Sequence, residues 1–167
     1  WKETGENGGG LTYNLGAHVI DQAVQLFGMP EAVFADIATL RTGGKVDDYF
    51  IIHLMKPARM PEVKITLKAS YLMCENEPRF VLHGTEGSYV KYGLDPQEAD
   101  LTKGMLPDTP HWGEEDESQW GILHTETDGN VVRKPYPTLP GNYAAFYENI
   151  YQHIRNGAVL QSDACGV

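Results

Sequence analysis

The chain has 167 residues, 41% of them hydrophobic and 22% charged, with a formal net charge of −10 at pH 7. That length and apolar content suit one globular domain with a proper core. The acidic balance argues against nucleic acid and anionic membrane as partners, since both require a basic footprint.

No apolar run approaches the roughly 20 residues needed to span a bilayer. Cys74 and Cys165, the two cysteines, are far apart and in no redox or metal spacing. They predict free thiols in a reducing, cytoplasmic setting. The chain opens on Trp1-Lys2-Glu3, with no initiator Met and no signal-peptide pattern, and reads as an internal piece of a longer protein.

The first element is a glycine run passing into a helix: Gly8-Gly9-Gly10-Leu11-Thr12-Tyr13-Asn14-Leu15-Gly16-Ala17-His18-Val19-Ile20-Asp21. The apolar period continues through Ala23, Val24, Leu26 and Phe27 and stops at Gly28-Met29-Pro30. At about 100° per residue, Asn14, His18, Asp21 and Gln25 share one stripe. An amide, an imidazole and a carboxylate therefore project together from a helix that starts where glycines allow close backbone approach to a ligand. This is a candidate reaction centre. The same residues also fit the solvated face of an ordinary amphipathic helix, with Asn14 as a plain N-cap. His18 and Asp21 offer two metal ligands at most with no third nearby, so no metal site is expected.

Residues 31–40 alternate as a strand, Gly43-Gly44-Lys45 makes a turn, and residues 48–55 are apolar at almost every position. The last pattern predicts a strand covered on both faces. Residues 62–73 alternate cleanly, and residues 80–83 and 89–92 form a hairpin across Gly84-Thr85-Glu86-Gly87. Residues 95–119 read as irregular around Pro96, Pro107 and Pro110, with His111-Trp112-Gly113 a candidate pocket wall and Glu114-Glu115-Asp116-Glu117 a solvated acidic loop. Residues 122–127 and 131–134 pair across Asp128-Gly129-Asn130. A helix is predicted over 143–156, capped by Asn142, striped by Phe146, Ile150 and Ile154, and ended by Gly157. Ser162-Asp163-Ala164 then looks like the start of another helix. His53, His83 and His124 lie within strand patterns and are expected to be packed or exposed rather than ligating.

Neighbouring antiparallel strands with helices at both ends predict an α+β fold, a predominantly antiparallel or mixed open sheet with helices on one face. Gly8-Gly9-Gly10 is no Gly-x-Gly-x-x-Gly turn and follows no strand, so no dinucleotide fold is expected in these residues.

Gly8-Gly9-Gly10, Gly16, His18 and Asp21 resemble the signature that opens the C-terminal domain of the Gfo/Idh/MocA oxidoreductases, with Asn14 where that family usually has Asp. The stretch Phe80-Val81-Leu82-His83-Gly84-Thr85-Glu86-Gly87-Ser88-Tyr89-Val90-Lys91-Tyr92-Gly93-Leu94-Asp95-Pro96-Gln97-Glu98 resembles the branch containing scyllo-inositol dehydrogenases. The resemblance implies that residues 1–167 are a substrate-binding and oligomerisation domain, with a nucleotide-binding domain before it and a helix after it outside the sequence. It implies hydride transfer between NAD or NADP and a hydroxyl-bearing carbon of a sugar or polyol. In that scheme His18 takes the hydroxyl proton and Asn14 supports it, with a Lys from the nucleotide-binding domain completing the set. Asp21, Tyr13 and Tyr143 face substrate, and Trp1 and Lys2 touch the cofactor. An amide at position 14 cannot favour the imidazolium by charge as a carboxylate would, which implies a more Lys-dependent site or an altered pH optimum. It also leaves open a second reading, a non-catalytic binding or oligomerisation module on the same fold. In relatives the open sheet face packs on another subunit, so a homo-oligomer is expected. The catalytic reading requires the His18 ring to stand in a cleft beside a bound polyol; a ring packed under side chains, or turned to bulk water with no cavity beside it, would count against it.

Overall fold

The structure, a computed structural model, describes residues 4, 5 and 8–161. The expectations for Trp1, Lys2, Cys165 and a helix start at Ser162 lie outside the described residues. The chain divides into two compact units, one up to Glu75 and one from Asn76.

In the first unit, helix α1 (Ala17–Phe27) is entered through a π turn over Thr12–Gly16. Leu11, Leu15, Val19, Ala23 and Phe27 recur at every fourth position, and all lie in the core or pack against it. In an α-helix each such step advances about 40° around the axis, so the stripe would drift off its partner. The wider π turn winds less per residue and brings the stripe back.

Strands β1 (Pro30–Ala38), β2 (Tyr49–Pro57) and β3 (Ile65–Ser70) form an antiparallel sheet in the order β1-β2-β3. Phe50, Ile52 and Leu54 share the core with α1 and are buried, each side chain contributing about 1.5–3 kcal/mol by leaving water. Register sets Ile37, Ala35 and Val33 of β1 and Ala69, Leu67 and Ile65 of β3 beside them. The opposite face carries Tyr49, Ile51 and His53, only half-buried, with Phe34 stacked on His53 at 6.0 Å between ring centroids. The expectation that β2 is covered on both faces is met on one face within this chain. Strand β1 is open on both, with Val33 57%, Phe34 59% and Ile37 48% exposed. Strand β3 is shorter than its alternation suggests, although the Tyr71 N–H still bonds the Asp48 carbonyl at 3.0 Å in line with the β2–β3 register.

In the second unit, β4 (Phe80–His83), β5 (Gly87–Lys91), β6 (Gly121–Thr127) and β7 (Asn130–Tyr136) form a second antiparallel sheet in chain order. The strands therefore lie in two ladders rather than one, and the α+β class stands. Asp128 at φ 52 and Gly129 at φ 75 make the tight turn between β6 and β7, where two successive positive φ values match the twist of the strands. Helix α3 (Ala144–Asn156) has its first turn held by Asn142, whose Oδ1 accepts the Ala145 N–H at 3.1 Å, and it closes on Gly157 at φ 68.

Two expectations for residues 95–119 are corrected. Gln97–Thr102 form a helix, α2, led in by Pro96 and carrying Glu98 and Asp100 in its first turn. Proline is tolerated at a helix start and acids there suit the dipole, so the signal was present. The acidic run is not uniformly solvated either. Glu115 turns inward, where both its carboxylate oxygens lie 2.7 Å from Lys91 Nζ. The two side chains are 11% (Lys91) and 5% (Glu115) exposed.

His53 and His83 bond their strand partners, Thr66 Oγ1 at 3.1 Å and Ser88 Oγ at 2.8 Å, and His124 is exposed. Among the described residues no helix is long and apolar enough to cross a membrane. Cys74 is an exposed free thiol.

Candidate active site

The helix bearing Asn14 and His18 is anchored at its glycine entry. Gly10 sits at φ +94, and a Cβ there would lie 2.0 Å from Asp47 Oδ1. Asp47 fills that space because it caps the helix: its Oδ2 accepts the Thr12 N–H at 2.6 Å and its carbonyl accepts the Leu11 N–H at 2.9 Å. The cap thus comes from the loop before β2, and Asn14, inside the π turn, is not the N-cap. A carboxylate at this end also meets the positive pole of the helix. Asp47→Ala is expected to cost about 1–2 kcal/mol, read as a lower denaturant midpoint at unchanged slope.

Asn14 donates its Nδ2 to the Tyr71 hydroxyl at 3.3 Å. The Arg41 guanidinium stands 5.8 Å from the Tyr71 ring centroid, and its Nε lies 2.8 Å from Asp48 Oδ2. Asp48 is fully buried and also accepts the Leu40 and Arg41 N–H groups at 2.7 and 3.0 Å. The Leu40 N–H chiefly, against the opposing effect of desolvation, and then the Arg41 side chain and N–H hold the Asp48 carboxyl below its usual range. Its contribution to stability is present above about pH 4 and is lost as the pH falls through the lowered native value.

His18 is exposed on α1, and its ring has no hydrogen bond to any described residue. Asp21 is exposed and accepts the Gln25 Nε2 at 3.5 Å. Tyr13 is 67% exposed, with its ring against Gly8. Tyr143 precedes α3 in the second unit and is 44% exposed. Burial first, then the charges of Asp95 and Glu98, push its phenol above the usual value, so it stays a neutral donor and acceptor. The structure therefore joins Asn14 to Tyr71 and Asp21 to Gln25, and joins neither to His18.

The clefts among the described residues include two. One of about 340 Å³ in the first unit is lined by Thr4, Arg41, Thr42, Gly43, Gly44 and Lys45. Another of about 390 Å³ in the second unit is lined in part by His111, Trp112, Glu114 and Asn142. His18 lines neither and is exposed, so neither of these clefts is the one expected beside its ring. His111 and Trp112 line the second cleft, while Gly113 is buried with a Cβ position only 2.3 Å from the Gly141 carbonyl. No group of three or more His, Cys, Asp or Glu among the described residues could hold a metal ion. Sequence reasoning missed Asp47, Tyr71 and Arg41. The pair Asp47-Asp48 ahead of an apolar strand was the available signal.

A histidine-bearing helix locked to the first of two antiparallel sheets defines the class, and comparison with known proteins agrees. Residues 1–165 match the Gfo/Idh/MocA oxidoreductase family, C-terminal alpha/beta domain, and the chain belongs to that family. It is 39% identical over 150 residues to the uncharacterized oxidoreductase YdgJ of Escherichia coli, covering 90% of this chain and 42% of the relative. It is 34% identical over 160 residues to the scyllo-inositol 2-dehydrogenase (NADP(+)) IolW of Bacillus subtilis, covering 96% and 44%. A solved structure from Bacteroides fragilis superposes with a TM-score of 0.87 at 65% identity, over 93% of this chain and 46% of that one. The chain spans less than half the length of the curated relatives it matches.

Proposed function

We propose that this chain is the substrate-binding and oligomerisation domain of an NAD- or NADP-dependent dehydrogenase acting on a sugar or polyol hydroxyl. The observation carrying this reading is His18, unpartnered among the described residues on a helix whose entry is locked by Gly10 and Asp47. The 34% identity to a scyllo-inositol dehydrogenase supports an inositol-like substrate.

Both sheets are wholly antiparallel, so the described residues form no parallel βαβ unit for a dinucleotide. The cofactor therefore belongs mainly to the rest of the protein, with Trp1 and Lys2 at its edge. When bound, its nicotinamide supplies the hydride acceptor. His18 takes the hydroxyl proton as the carbon is oxidised, a task that a neutral imidazole nitrogen can perform. Tyr71 engages the Asn14 NH₂, which leaves Asn14 Oδ1 to accept from a substrate hydroxyl. Asp21, Tyr13 and the neutral phenol of Tyr143 supply further groups for hydroxyls. The free Cys74 thiol supports a reducing, cytoplasmic setting.

The test is reduction of NAD and of NADP by the full-length protein with a panel of inositols and aldoses. Turnover of at least one polyol is expected. Polyol binding without turnover would instead favour a non-catalytic module, the reading that Asn14 in place of a carboxylate supports.

The open face of the first sheet is the proposed homo-oligomer surface. Phe34, Tyr49, Ile51 and Met55 form an apolar strip on it beside Asp36, Thr66 and Lys68, and β1 leaves an apolar edge next to it. Phe34→Glu is expected to dissociate the oligomer in analytical ultracentrifugation. An unchanged sedimentation profile would rule this face out.

A further inference from the structure

Tyr71, in the first unit, is braced more firmly than the packing of an exposed ring requires. Its backbone N–H is held by the Asp48 carbonyl at 3.0 Å. The fully buried Asp48 carboxylate holds the Arg41 Nε at 2.8 Å, and the Arg41 guanidinium stands 5.8 Å from the Tyr71 ring centroid. One core residue thus fixes both the main chain of Tyr71 and the cation beside its ring, a favourable pairing of guanidinium with an aromatic face. The side chain is still 42% exposed, so the brace buries little apolar surface. Its effect is to set the place of the hydroxyl.

The hydrogen bonds at that hydroxyl are incomplete. A phenol offers one O–H donor and lone pairs that accept. The Asn14 Nδ2 donates to the Tyr71 oxygen at 3.3 Å, which leaves the phenol proton with no acceptor among the described residues. Asn14 Oδ1 has no donor among them either. The two side chains therefore present one donor and one acceptor, tied together by the amide nitrogen between them. Asn14 sits within the π turn, and His18 follows four positions on in the same helical segment. Residues so spaced have Cβ atoms about 5–6 Å apart.

We infer that Tyr71 contacts substrate directly and, with Asn14, reads a pair of neighbouring hydroxyls beside the carbon that His18 serves. The inference rests on the polyol dehydrogenase reading above and deepens it. Asn14 Oδ1 accepts from one hydroxyl, and the Tyr71 O–H donates to the oxygen of the next. A hydroxyl both donates and accepts, so a vicinal diol satisfies the two side chains together. A deoxy carbon in place of either hydroxyl leaves one of them without its partner.

The experiment uses the full-length protein, its Tyr71→Phe variant, and a polyol turned over by wild type together with the monodeoxy analogues of that polyol. Phenylalanine keeps the ring beside Arg41 and the backbone bond to Asp48, and the lost hydroxyl bonds only Asn14, so the denaturation midpoint should not move. For the parent polyol, kcat/KM is expected to fall about tenfold in Tyr71→Phe. In wild type one monodeoxy analogue should lose a similar factor. On that analogue Tyr71→Phe should cost nothing further, because the oxygen met by the phenol is already gone; a merely structural role would lower both substrates alike. An unchanged kcat/KM on the parent polyol would overturn the assignment, as would an equal loss on the parent and on every analogue. If wild-type protein turns over no polyol, the parent reading fails by itself, and calorimetric binding of inositols becomes the readout. A Kd raised about tenfold in Tyr71→Phe would then support the contact. Equal Kd values, or no inositol binding at all, would overturn the role of Tyr71.

Discussion

His18→Ala in the full-length protein is expected to lower polyol turnover by about 10²–10⁴-fold, the usual loss on removing a general base. Stability should be unaffected, because the imidazole is exposed and bonds no described residue, so its loss leaves no cavity and no orphaned partner. Imidazole accepts a proton only in its neutral form, so acid should suppress wild-type activity. Asn14 lies one turn earlier on the same helical segment and carries no charge. Asn14→Asp would introduce a carboxylate that favours the imidazolium and move the acid limb of the pH–rate profile to higher pH. Turnover that survives loss of the imidazole would remove His18 from its role. An acid limb that stays in place in Asn14→Asp would show that position 14 does not act on the ring.

Lys91→Met is expected to destabilise the domain by about 3–5 kcal/mol, the cost of breaking a buried ion pair from one side. Glu115 would remain 5% exposed with its counter-ion gone. The Gln119 carbonyl would also lose the Lys91 Nζ that it accepts at 2.9 Å. The double variant Lys91→Met/Glu115→Leu should recover most of that loss, since neither charge then has to be desolvated. The Trp120 Nε1–H would keep its partner, because it bonds the Glu115 backbone carbonyl at 3.1 Å. Equilibrium denaturation of wild type, both single variants and the double variant checks this. A Lys91→Met protein as stable as wild type would show the pair to be dispensable.

The contrast between these two sites separates local from distant information. The helix at 144–156, the two hairpins and the alternating strands follow from spacing, because period and turn chemistry are properties of neighbours in sequence. The His18 signature was legible for the same reason, since its residues lie on one turn-and-helix segment. Helix α2 was legible too, and was hidden only by counting Pro96 as a breaker where it serves as a lead-in.

The amino-acid sequence by itself determined the α+β class, the family and the helix that presents His18. Tertiary structure alone decided which polar side chains hold that framework together. Asp47 caps a helix 35 residues away, Glu115 pairs with a lysine 24 residues away, and Gln97 accepts from Tyr143, 46 residues on. Burial and a distant partner turn an ordinary acid or amide into a structural tie, and neither is visible in the spacing of its neighbours.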